Sequence, residues 1–97
     1  MKKIEGIKKK LAELRPMLKG KFKVESIGLF GSYVRGEERG ESDLDVLVEF
    51  SEPIGFFEFV ELEGFLSEEI GAKVDLVMKE TLKPRIRENI LKEAVYV

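Results

Sequence analysis

The sequence predicts a single α/β domain, one mixed β-sheet with helices packed on it. Three observations predict it. Apolar residues alternate in short stretches and recur at three- to four-residue spacing in the segments around them, so strands and helices follow one another along the chain. Ninety-seven residues can bury one core but not two, and one domain is expected to span residues 1–97. At 43% hydrophobic and 37% charged residues, the composition is that of a globular protein with a heavily charged surface.

Each element has its own signal. Ile4, Ile7, Leu11, Leu14 and Leu18 mark an amphipathic helix with its lysines toward water, and Pro16 is expected to kink it or divide it into two short helices. Val24 to Phe30 is the first strand, closed by a Gly31-Ser32 turn. Residues 32 to 36 leave room only for a short helical turn before a polar loop at Gly36 to Glu41. The second strand carries Leu44, Val46, Val48 and Phe50 on one face and Asp43, Asp45 and Glu49 on the other. Phe56, Phe57, Phe59, Val60, Leu62, Phe65, Leu66 and Ile70 lie at helical spacing up to a stop at Gly71. Phe56 to Phe65 reads as core, with a protein-binding face as the alternative use of so much phenylalanine. Lys73 to Met78 is the third strand, Pro84 opens a last helix through about Glu93, and Ala94 to Val97 adds an edge strand.

Composition narrows the chemistry. With no cysteine and no histidine, disulfides, thiolate metal sites and imidazole bases are excluded, so catalysis must run on carboxylates, hydroxyls, amines and bound ions. A net charge of -2 argues against general nucleic-acid binding. Basic residues do gather locally, at Lys2, Lys3, Lys8, Lys9 and Lys10 and at Lys83, Arg85 and Arg87. No apolar run reaches bilayer-spanning length and no signal-peptide core follows the first lysines, so a cytoplasmic protein without a membrane partner is expected. Abundant Lys and Glu, with Asn only at position 89, is a composition reported for thermophile proteins.

The chemistry concentrates between Leu29 and Phe50. Gly31 and Ser32 close the first strand, ten residues follow, and Asp43-Leu44-Asp45 opens the second. Asp43 and Asp45 are two residues apart and share a strand face, where they repel each other unless a cation lies between them. If the third strand pairs beside the second, Asp75 joins that face. Three converging carboxylates can hold two magnesium ions about 3.5–4 Å apart, the arrangement used for in-line phosphoryl displacement. Glycine admits a phosphate close to the backbone, and the amides and hydroxyl around Ser32 are donors for it. Arg35 is placed either on a triphosphate or in a salt bridge to Glu37, Glu38 or Asp43. Taken singly, each feature has a plainer use. Gly31-Ser32 is then an ordinary turn, Ser42-Asp43 a loop or cap, Asp75 an edge-strand charge, and Lys83 to Arg87 a solvated helix start.

In this order and spacing, Gly31-Ser32, Asp43-x-Asp45 and Asp75 resemble the polymerase-beta-type nucleotidyltransferase superfamily. The stretches Leu29 to Glu37 and Ser42 to Val48, and the ending Leu82-Lys83-Pro84 through Tyr96, are similar to the minimal nucleotidyltransferases (MNT), antitoxins paired with HEPN toxins. The resemblance spans about Ile4 to Val97. It implies a palm-like fold and Mg2+-dependent transfer of AMP from ATP to a tyrosine of a HEPN ribonuclease toxin. It also implies that Asp43, Asp45 and Asp75 ligate the metal, with Asp43 and Asp45 as the catalytic pair, and that Gly31 and Ser32, with Ser42 and Arg35 beside them, bind the nucleotide. The chain shows no second domain to close over an acceptor, so a partner protein is expected to complete the cleft. Assembly with itself or with a toxin is left open. Two rival readings stand beside this one: an antitoxin that only binds its partner, and an enzyme that nucleotidylates a small molecule.

Overall fold

Residues 3–39 and 43–97 are described by a computed structural model. They form α1 (Lys3–Phe22), β1 (Val24–Phe30), α2 (Ser32–Arg35), β2 (Leu44–Phe50), α3 (Phe56–Ile70), β3 (Val74–Met78), α4 (Pro84–Glu93) and β4 (Val95–Tyr96), with a 3-10 turn at Lys79–Thr81. The strands lie in the order β3-β2-β1-β4. β1 is antiparallel to both β2 and β4, whereas β2 and β3 are parallel. A parallel pair needs a crossover, and α3 supplies it.

Alternation decides what each face of the sheet does. Leu44, Val46 and Val48 of β2 are fully buried and join Ile27, Leu29, Val74 and Leu76 from the neighbouring strands. Leu11, Leu18 and Phe22 of α1 and Leu62 and Leu66 of α3 cover that face. Asp45, Leu47 and Glu49 point the other way. Leu47 is nevertheless buried, so the second face is only partly polar.

Pro16 does not divide the first helix, contrary to expectation, because α1 runs unbroken from Lys3 to Phe22. The proline costs about 3 kcal/mol of helix propensity, but burial of Leu11, Leu18 and Phe22 contributes about 1.5–3 kcal/mol each. Pro16 and Ala12 are both exposed, so the Ala12 carbonyl that loses its amide partner is solvated. A second correction concerns α3. Phe56 and Phe57 are 74% and 85% exposed and Val60 is exposed as well, while Phe59 and Phe65 are only partly buried. The inward stripe is set by Leu62 and Leu66, and positions 56, 57 and 60 fall outside it on a 3.6-residue helix.

The outer edge of β3 is closed by side chains of α3. The Leu76 amide donates to Glu63 Oε2 at 2.8 Å and the Val74 amide to Ser67 Oγ at 3.0 Å. These contacts take the place of a further strand. Replacing Glu63 with Ala should therefore leave the Leu76 amide without its carboxylate and cost roughly 1–3 kcal/mol in urea unfolding. An unchanged midpoint would show that water serves that amide equally well.

Candidate active site

Gly31 is where the backbone turns from β1 into α2, and it does so at φ 82°, ψ -156°. Its position is dictated from below. Phe30 is opposite Asp45 in the β1-β2 register, which brings the Asp45 carboxylate under the turn. A Cβ on Gly31 would lie 2.0 Å from Asp45 Oδ2, well inside contact distance. Only glycine fits, for both its positive φ and its missing side chain. Ser32 follows as the first residue of α2 and is half-buried.

Parallel pairing of β2 with β3 sets Asp45 directly opposite Asp75. The conditional step in the sequence argument is thereby met. Asp43 precedes β2 by one residue, half-buried, and Asp75 is exposed. The carboxyl of Asp45 is pushed from its ordinary 3.8 up to about 6, first by burial, then by the charges of Asp75 and Asp43 and a hydrogen bond with Asp75. Arg35 opposes the shift. The three acids thus act on one another electrostatically.

Among the described residues, no three acidic side chains form a ready-made cation cage. Magnesium does not need one. It keeps several waters, takes substrate phosphates as ligands and is commonly held by one or two carboxylates. An all-oxygen donor set, with Asp45 and Asp75 in register and strained in its charged form, fits such an ion.

Arg35 is found in salt bridges. Its Nε donates to Glu37 Oε1 and its Nη1 to Glu93 Oε1, both at 2.8 Å. The pairing with Glu37 matches one sequence expectation, whereas Glu93 was not foreseen. Glu93 also accepts the Gly31 amide on Oε2 at 2.7 Å. These two contacts hold the Glu93 carboxyl below its usual range, the Gly31 amide first and Arg35 second. One signal in the sequence does single it out: an acidic residue in the last turn of a helix opposes the helix dipole and asks for a specific partner.

Ser42 lies outside the described residues. Of the basic C-terminal residues, Arg87 donates to the Lys79 carbonyl at 2.9 Å, and Lys83 and Arg85 are exposed. At 1.5 Å per residue they precede Glu93 along α4 by roughly 9–15 Å, away from the residue that meets the Gly31 turn.

Comparison with known proteins agrees with this geometry. The nucleotidyltransferase domain family matches residues 5–97. The chain belongs to that family. This nucleotidyltransferase is 46% identical over 94 residues to the protein adenylyltransferase MntA of Thermococcus cleftensis, covering 97% of this chain and 95% of the relative. A solved structure described as a minimal nucleotidyltransferase superposes with a TM-score of 0.78 at 35% identity, covering 98% of this chain and 95% of that one. The fold also recurs, at TM-score 0.68 and 22% identity, in a complex of a tri-AMPylated Shewanella oneidensis HEPN toxin with an MNT antitoxin, over 95% of this chain and 69% of that one. The mixed four-stranded sheet is therefore the minimal nucleotidyltransferase fold, as the sequence implied. Among the described residues no helix is long and apolar enough to cross a membrane.

Two substitutions test the site. Gly31→Ala should destabilise the nucleotidyltransferase by about 2–3 kcal/mol, from the positive φ and the collision with Asp45. It should also abolish nucleotide binding, measured by calorimetry at a temperature where the variant is folded. Asp45 carries a pH signature. Its folded carboxyl holds a proton more tightly than the unfolded one, so its contribution is intact below about pH 4 and is lost as pH rises through about 6. Without metal, Asp45→Asn should be more stable than the parent by about 1 kcal/mol near neutral pH, solvent screening included, and equal to it below about pH 4. Urea melts at both pH values, in chelator, decide the point.

Proposed function

We propose that this nucleotidyltransferase is an antitoxin that transfers AMP from ATP to a tyrosine of a HEPN ribonuclease toxin. The observation that carries the proposal is the Asp45-Asp75 register beneath the Gly31 turn, which gathers phosphate and metal chemistry at one end of the sheet. The adenylyltransferase name of the Thermococcus cleftensis relative and the AMPylated Shewanella oneidensis HEPN toxin bound to an MNT antitoxin support the choice of nucleotide and partner.

Magnesium, when bound, supplies positive charge against the triphosphate and polarises its phosphoryl oxygens. Asp43, Asp45 and Asp75 would hold it. The Gly31-Ser32 turn seats the phosphates, with the serine hydroxyl as donor and the bare glycine admitting close approach. Asp75, the more exposed member of the facing pair, takes the proton from the tyrosine hydroxyl as that oxygen bonds to the α-phosphorus. Pyrophosphate leaves, and the partner keeps AMP as a phosphodiester. Lys83 and Arg85, exposed at the start of α4, are free to meet a partner surface.

Incubation with a cognate HEPN protein, ATP and magnesium, followed by intact mass, should show whole AMP increments on the partner and none on its tyrosine-free variant. Asp43→Asn with Asp45→Asn should transfer nothing. Full neutralisation of the ribonuclease by that double variant would favour an antitoxin that acts by binding alone.

A further inference from the structure

We propose that Glu93 is a positioning residue of the nucleotide site, acting through the Gly31 backbone and Arg35; the inference rests on the nucleotidyl-transfer reading above. Its two carboxylate oxygens have separate tasks. Oε2 takes the Gly31 amide at 2.7 Å, a length typical of charge-assisted hydrogen bonds, and Oε1 takes Arg35 Nη1 at 2.8 Å. Gly31 is the residue that lies against Asp45, and its own carbonyl accepts the Val34 and Arg35 amides that start α2. A carboxylate on the Gly31 amide therefore fixes the turn from its strand side while α2 fixes it from the other.

Simple charge balance does not account for the arrangement. Arg35 already has Glu37 as a counter-ion, at the same 2.8 Å. Glu93 also occupies the final residue of α4, where a negative charge works against the helix dipole. Its placement is enforced by the strand that follows, because Val95 pairs with Leu29 and Tyr96 with Gly28. Gly28 lacks a Cβ where the Tyr96 ring and the Val95 carbonyl approach, at 3.1 and 3.2 Å from where one would stand, so this pairing is close. Two residues before β4, Glu93 is thus delivered to a point two residues beyond Leu29, which is Gly31. The geometry has a consequence for the ligand as well. The Gly31 amide is committed to Glu93, so an incoming phosphate takes the donors of Ser32.

A residue that touches the turn and not the nucleotide should act on kcat and not on the KM for ATP. In the AMP-transfer assay, Glu93→Ala should lower kcat by about 10–100-fold, the usual cost of losing an outer-shell support, with KM within about threefold. Glu93→Gln should recover most of kcat, since its carbonyl oxygen still accepts the Gly31 amide, and Glu93→Asp, one methylene short, should not. The Gly31 amide proton, observed by 15N-edited NMR without ATP or partner, should lie downfield in the parent and in Glu93→Gln and move upfield in Glu93→Ala and Glu93→Asp. If Glu93→Ala does not fold, Glu93→Asp decides. Parental kcat in Glu93→Ala or Glu93→Asp, a rise in KM at constant kcat, or tighter ATP binding would each overturn the assignment, the last by making Glu93 an internal competitor of phosphate. Absence of transfer by the parent chain, with the Gly31 signature intact, would instead overturn the reaction and leave the contact standing.

Discussion

The approach of Gly31 to the Asp45 carboxylate is the constraint around which the site is built. No side chain fits between the β1-α2 turn and β2, so the Gly31 backbone and the Asp45 carboxylate are held at contact distance. The sheet makes this possible by registering Phe30, Asp45 and Asp75 across three strands. The hydrophobic face then does the holding. Leu44 and Val46, fully buried on either side of Asp45 in sequence, anchor the strand that presents it. Repulsion between carboxylates on the polar face is tolerated because the apolar face of the same strand outweighs it.

That division of labour also accounts for the electrostatics. Asp45 is partly buried and sits among like charges, which raises its carboxyl to about 6. Farther along the same face, Glu49 has Lys79 at 3.8 Å and the Ser26 hydroxyl at 3.3 Å. One end of this face is thus balanced by the protein's own cation and donor. The other end keeps its acids crowded, an arrangement that suits an ion and a polyphosphate arriving together.

Much of this was legible in the sequence because strands announce themselves by alternation. The closeness of the acids at 43 and 45 was legible, since positions two apart on an extended chain share a side regardless of the rest of the fold. Asp75 was legible only conditionally, because alternation gives its face but not its neighbour, and the neighbour depends on strand order. Pro16 misled because helix propensity is local and the burial that overrides it is tertiary. Phe56 and Phe57 misled for a related reason: apolar density along α3 was read as core, whereas Leu62 and Leu66 set which stripe is turned inward. What Glu93 binds was hidden for the opposite reason. Its partners are 62 and 58 residues away, and no periodicity connects them.

That separation bears on how the enzyme comes into being. The glycine turn is encoded early in the chain, but its tether arrives only with α4 and with β4 closing on β1. Contacts that distant form late and together, because the loop between them must be closed before any reward is collected. A chain folded only through β2 possesses the turn and both acids of the Asp43-x-Asp45 pair, yet lacks Asp75 and the carboxylate that steadies Gly31. Assembly of the Gly31, Asp45, Asp75 and Glu93 cluster is therefore a property of the whole cooperative unit, and a partly synthesised or locally unfolded chain lacks part of it.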